Sequence, residues 1–255
     1  MVTQAGKTNS AETKPAGVQS AGWQSKAVCI LPLVCFFVLG ALIDTQPMEA
    51  GQAINPQAYQ WLVVLRVLAM SAVVLTFASA LRRMFPLQMD HWGLVVGILG
   101  AVLWIGICHL QLERSLFGLL GAGDWLPDRD GVNPWQVYPD AGQRFWFLVS
   151  RFSLLAVCVP VAEELFLRGF VMRAVEFEAW DSTPLNRIGR TGLLVGTLYG
   201  VATHPAELFA AAVWFSLVTW LMVKTGKFWN CVLAHAVTNL LLGIYVCWFS
   251  QWHLW

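Results

Sequence analysis

The chain has 255 residues, of which 57% are hydrophobic and 12% charged, with a formal net charge of +1. Soluble domains carry about 25% charged residues, so half that share, together with 14 Trp, excludes an ordinary soluble domain and points to an integral membrane bundle. The lysines and arginines are scattered rather than clustered, which argues against a nucleic-acid partner.

Residues 1–26 are rich in Ser, Thr, Gly, Ala and Gln without an apolar period, the composition of a disordered tail. The tail is too long ahead of the apolar core for a cleaved signal peptide, so the first apolar segment is expected to remain as a span. A spanning helix needs about 20 mostly apolar residues. Candidates are 27–43 (with Pro32), 59–81, 92–110, 145–175, 190–204, 207–223 and 228–250. The expected fold is therefore an all-α polytopic membrane helix bundle of about seven (six to eight) transmembrane helices. It divides into the 1–26 tail, N-terminal helices with a long loop over 27–144, and a C-terminal core over 145–255. Arg66 falls in the second span and is expected to snorkel to an interface. Trp61, Trp92, Trp146, Trp229 and Trp248 lie near span ends, where interfacial aromatics sit.

Lys and Arg favour alternate connections. Lys7, Lys14 and Lys26 lie in the tail, Arg82 and Arg83 in 82–91, Arg187 and Arg190 in 176–190, and Lys224 and Lys227 in 224–227. The positive-inside rule then places the N-terminus in the cytoplasm and the C-terminus outside. The 111–143 loop mixes Gly, Pro and Asp with Trp125, Trp135 and Tyr138. It suits either a surface-lying amphipathic piece or a cap over an entrance. The six cysteines all lie in apolar segments without metal or redox spacing, as small buried hydrophobes do.

Ionisable groups inside spans are costly and tend to mark function. The fourth candidate contains VAEELFLRGF at 161–170. Glu164 and Arg168 are four apart and share a helix face, so they can pair. Glu163 is rotated about 100° away and has Leu167 at i+4, leaving it the chemically available carboxylate. Pro160 removes a backbone donor and can kink this helix. Read alone, this cluster could equally be a structural ion pair locking helices.

Gly192, Gly196, Gly200 and His204 recur every fourth residue. This small-residue stripe lets a neighbouring backbone approach closely and carries His204 along that contact, although a histidine beside Pro205 is by itself more often interfacial. His235 and Asn239 are also four apart, on one face of the last span. Depth connects the three helices. Glu163 lies 15 residues before position 178, and His204 lies 14 after Arg190; both are about 21 Å from one face. By the same rise His235 and Asn239 lie about 12 and 18 Å from the turn at Lys227.

EELFLR at 163–168, YGVATH at 199–204 and HAVTN at 235–239 resemble, in order, the three motifs of the CAAX-processing and bacteriocin-processing family of intramembrane endopeptidases. The family usually has Phe four residues before the motif histidine; here Gly200 stands there and Tyr199 one earlier. The stretches YGVATHPAE and HAVTNLLLGIYVCWFSQWHLW are further similar to a bacterial subgroup associated with exosortase protein-sorting systems. The resemblance implies an inner-membrane hydrolase of a membrane-associated protein or peptide, with a possible functional link to an exosortase. It implies that Glu163 and His204 activate water, that His235 and Asn239 stabilise the oxyanion, and that Arg168 holds Glu164. On these residue types no cofactor is expected. A zinc alternative would use Glu163, His204 and His235, leaving a position for water, although HExxH is lacking. The rival is a non-catalytic protein, an immunity factor or transporter-like bundle, whose polar cluster is structural; the two-half repeat of a transporter is not visible.

Overall fold

A computed structural model describes residues 22–42, 55–126 and 131–254. Most of the expected tail, with Lys7 and Lys14, and most of the 44–58 connection lie outside these residues. Among the described residues every regular element is helical.

In chain order α1 is Trp23–Leu42, α2 Pro56–Thr76, α3 Ala78–Met84, α4 His91–Leu110 and α5 Leu112–Leu119. The short α6, Pro134–Val137, leads to α7, Ala141–Ser153. The chain then runs without interruption through a π-helical turn (Leu154–Cys158), α8 (Val159–Phe166), a second π turn (Leu167–Val171) and α9 (Met172–Ala174). The last three helices are α10, Arg190–Thr203, α11, Leu208–Thr225, and α12, Phe228–Phe249.

Among the described residues six stretches are long and apolar enough to cross a membrane: α1, α2, α4 with α5, the run from α7 to α9, α11 and α12. The chain is thus a multi-pass helical membrane protein. Six falls within the expected six to eight, and the candidate at 190–204 (α10) is the one that is too short to span. Its 14 residues rise about 21 Å, short of a core about 30 Å thick. It stops where His204 and Pro205 break the helix, and α11 returns beside it.

Helix ends are set by local chemistry. Asn55 Oδ1 accepts from the Gln57 and Ala58 amides ahead of Pro56, and Asp140 Oδ1 accepts from the Gln143 amide; both satisfy orphan N–H groups. Gly226 closes α11 in the left-handed conformation at φ 64°, which costs glycine little.

The connections group by face. Lys227 Nζ donates to Asp90 Oδ2 at 2.9 Å, and Asn230 Nδ2 to Asp90 Oδ1 at 2.9 Å. Trp229 Nε1 donates to the Phe85 carbonyl at 3.0 Å. The turns before α4 and α12 therefore share one face. On the opposite face Tyr138 donates to the Pro56 carbonyl at 2.7 Å, and the Trp135 and Trp252 rings lie 5.4 Å apart. The described start of the 111–143 loop is docked there: the Phe209 amide donates to buried Glu113 at 2.8 Å. Its Leu119, Leu120 and Trp125 are exposed, as an interfacial piece requires.

Small residues make the tight contacts. A side chain at Gly97 would meet the Ala234 carbonyl at 2.8 Å, and one at Gly100 would meet Thr238 at 2.8 Å, so α4 lies against α12. Thr238 Oγ1 donates to the Gly97 carbonyl at 2.9 Å and Trp214 Nε1 to Thr238 Oγ1 at 3.1 Å. Such interhelical bonds contribute on average about 0.6 kcal/mol each in a membrane. The α10 stripe packs as its spacing required. Gly192 faces the Met172 carbonyl, Gly196 the Met172 sulfur, and Gly200 the Phe215 ring. None of the six cysteines forms a disulfide, and Cys29, Cys158 and Cys231 are buried.

Candidate active site

The α7–α9 run is irregular for a reason present in its sequence. Pro160 has no N–H, and its ring disfavours a regular turn before it. The preceding turn widens to the π form, with the Val159 amide bonded to the Leu154 carbonyl. One residue on, the same i→i−5 pattern would need the Pro160 amide for Leu155, so that carbonyl lacks its helical donor. Asn239 supplies the donor: its Nδ2 lies 2.8 Å from the Leu155 carbonyl. The proline that shapes the glutamate helix thus also ties it to α12 through Asn239.

Glu164 and Arg168 are fully buried. Arg168 Nη1 lies 2.7 Å from both Glu164 oxygens, and its Nη2 donates to the Phe215 carbonyl at 3.0 Å. The guanidinium also lies 5.6 Å from the Phe215 ring centre. The pair is joined by a third group: His235 Nδ1 is 3.0 Å from Glu164 Oε1. A carboxylate held by arginine only accepts, so Nδ1 carries the proton. This fixes the ring and turns Nε2 toward Glu163, whose Oε2 is 3.8 Å away. Glu163 thus acquires a long-range partner that its own helix does not provide. At 3.8 Å the contact exceeds a direct hydrogen bond and suits a bridging water.

His204 ends α10. Its Nδ1 lies 3.0 Å from the Gly200 carbonyl and 3.0 Å from Thr203 Oγ1. The carbonyl can only accept, so Nδ1 again bears the proton and Nε2 is the acceptor in the neutral ring. The ring packs between Trp104 and Phe215, with centres 5.3 and 5.6 Å away. Phe215 fills the space that Gly200 vacates. The aromatic absent four residues before His204 is therefore supplied in space by α11.

Glu163, His204, His235 and Asn239 line one cavity of about 550 Å³, within the range of small-ligand sites. Three helices deliver them to one level. The sequence arithmetic is altered by α9 ending at Ala174 rather than near 178, which brings Glu163 nearer that helix end. Three cavity groups were not distinguishable in sequence. Trp214, whose ring lies 4.6 Å from that of His235, and Thr238 carry no motif that sets them apart from other apolar-span residues. Arg66 was expected at an interface. It instead lies midway along α2, half-buried, with Nε donating to the Phe36 carbonyl at 3.1 Å and its head in the cavity wall.

Among the described residues no three His, Cys, Asp or Glu side chains gather closely enough to hold one ion. Glu163, His204 and His235 as placed do not fit a shared metal.

Fold and site together define a multi-pass helical membrane protein with a carboxylate, two imidazoles and an amide around an interior cavity. Residues 145–241 match the family model described as type II CAAX prenyl endopeptidase Rce1-like. The resemblance carried by the three motifs is therefore shown over that segment, which contains Glu163, Glu164, Arg168, His204, His235 and Asn239. The chain is also 35% identical over 127 residues to the Bacillus subtilis (strain 168) protein YyaK, described as uncharacterized. That match covers 43% of this chain and 40% of YyaK, well under two thirds of either. No solved structure matches.

Proposed function

We propose that the protein is an intramembrane endopeptidase that hydrolyses a peptide bond of a membrane-associated protein or peptide. The observation that carries this reading is the pairing of Glu163 with a pre-oriented histidine. His235 is held by Glu164, itself held by Arg168, and presents Nε2 to Glu163 at 3.8 Å inside a cavity shared with His204 and Asn239.

In this reading Glu163 is the general base and the His204 Nε2 lone pair orients the water. Glu163 takes one water proton, and the oxygen bonds to the substrate carbonyl carbon. The developing oxyanion accepts from the second Asn239 N–H and from His235 in its doubly protonated form, where both nitrogens donate. The carbonyl re-forms, the C–N bond breaks, and Glu163 returns the proton to the leaving nitrogen. The products are a carboxylic acid and an amine. Glu164 and Arg168 position His235 and do not touch substrate. A bacterial inner-membrane setting, a cytoplasmic N-terminus and an exosortase-linked sorting role belong to the same proposal and rest on sequence resemblance and charge bias.

The test compares membrane and secreted peptides from cells expressing wild type or Glu163→Gln, by mass spectrometry. At least one cleavage product should vanish in a variant that accumulates and unfolds like wild type. A peptide pattern independent of Glu163 would leave the non-catalytic bundle as the better account. Stringent metal removal from purified protein should leave cleavage unchanged; loss restored by zinc would overturn the metal-free mechanism.

A further inference from the structure

Arg168 holds Glu164, yet one of its donors is idle. Nη1 serves both Glu164 oxygens and Nη2 the Phe215 carbonyl. Nε is buried and, among the described residues, has no hydrogen-bond partner. Two buried hydroxyl oxygens share that condition, Tyr199 Oη on α10 and Thr219 Oγ1 on α11. Arg168 is 0% exposed and Thr219 4%, so bulk solvent does not reach them. A buried donor or acceptor left bare costs the desolvation of that group, and nearly all such groups in folded proteins are satisfied by protein or ordered water.

The three groups gather around Phe215 and Gly196. The Phe215 ring centre is 5.6 Å from the Arg168 guanidinium and 5.9 Å from the Tyr199 ring centre. Thr219 lies four residues after Phe215. A helical threonine can donate to the carbonyl four residues back, and Thr76, Thr203 and Thr225 do so at 2.8–2.9 Å. At Thr219 that carbonyl is the one held by Arg168 Nη2, which sets the guanidinium beside it. Thr219 Oγ1 instead faces α10, where a Cβ on Gly196 would come within 3.4 Å of it. Tyr199 is three residues past Gly196, and a helical side chain leans over the turn before its own Cα. Its ring therefore leans toward the groove that Gly196 leaves. The charges of Glu163, Glu164 and Arg168 all act on its hydroxyl.

We infer that Arg168 Nε, Tyr199 Oη and Thr219 Oγ1 hold one buried water, and that Tyr199 and Thr219 are thereby positioning residues for the Arg168–Glu164–His235 chain. A buried water makes about three such bonds. It accepts from Nε and shares one bond with each hydroxyl, either of which can donate or accept. An anion fits less well, because Glu164 already neutralises the guanidinium and the Glu163 charge acts on the same place. The water fixes the third corner of a guanidinium whose other two corners hold Glu164 and Phe215. The water site is independent of the peptidase reading; only its effect on cleavage rests on that reading.

Thermal unfolding of the full-length protein in mild detergent reads the site without turnover. Tyr199→Phe and Thr219→Val each keep the shape and remove one hydroxyl, and each should lower Tm by about 2 °C or more. The cost of Tyr199→Phe should persist beside Thr219→Ser, which keeps the oxygen, and vanish beside Thr219→Val, since one water serves both groups. Equal costs in both backgrounds overturn the shared water. Radiolytic labelling in heavy-oxygen water should mark Tyr199 from water that exchanges more slowly than bulk; coupling without such a water overturns the inference in favour of a direct hydrogen bond. The His235 Nδ1 resonance, in protein with nitrogen-labelled histidine and assigned by its loss in His235→Gln, should shift in both single variants. A resonance that neither variant moves overturns the positioning role. In the cleavage assay kcat should fall about tenfold or more with KM unchanged; the unfolding and the resonance are read whether or not a peptide is cleaved.

Discussion

Arg168→Met separates a structural ion pair from a positioning one. Arg168 is 0% exposed and holds both Glu164 oxygens at 2.7 Å and the Phe215 carbonyl at 3.0 Å. Removing it leaves a buried carboxylate whose remaining partner is His235. Breaking such a pair costs about 3–5 kcal/mol. For a chain of this size that is a fall of roughly 6–20 °C in Tm, at about 2–4 °C per kcal/mol. The assay is thermal unfolding in mild detergent, with cleavage followed in parallel. Glu164→Gln combined with Arg168→Met removes both charges and should regain most of the stability, since replacing a buried pair by neutral groups is often near neutral. Cleavage should not return, because His235 Nδ1 no longer donates to a carboxylate. A double variant restored in both stability and cleavage would refute the positioning role; an Arg168→Met protein as stable as wild type would refute the burial argument itself.

Gly200→Phe, which restores the family's aromatic, should destabilise by about 1–3 kcal/mol through overpacking, because the Phe215 ring occupies that space. Adding Phe215→Gly should relieve it, as read by the same unfolding assay. Asn239→Leu should cost about 1–3 kcal/mol by leaving the Leu155 carbonyl unsatisfied and should also abolish cleavage; retained cleavage would remove Asn239 from the oxyanion site. At the face shared by the turns before α4 and α12, Asp90 is held below the usual carboxylate range first by its hydrogen bond from Lys227. A depressed folded value gives stability that is complete above the unfolded value near 3.9 and is lost as pH falls through the folded one. The Tm difference between wild type and Lys227→Met should therefore be constant at pH 6–8 and shrink below about pH 4; a difference that grows on acidification contradicts the assignment.

The sequence by itself determined the class of fold, because a spanning helix is a matter of length and apolarity. It also determined the Glu164–Arg168 pair, since four residues on a helix fix a shared face, and the α10 glycine stripe, since small residues at that spacing have one use in a bundle. Tertiary structure decided what depends on other helices. The partner of Glu163 is His235, 72 positions away, and no local pattern could name it. Arg66 looked like a snorkelling residue because its sequence neighbours show apolarity, whereas its position in the cavity depends on Phe36 and Gly40 of another helix. The missing aromatic at Gly200 read as a departure, and only packing showed Phe215 standing in its place. Depth counted along single helices could not include the π turns or the early end of α9, which shift the carboxylate along its helix. Those shifts arise from one missing proline N–H and from the contacts that compensate it, and such compensation is a property of the assembled bundle.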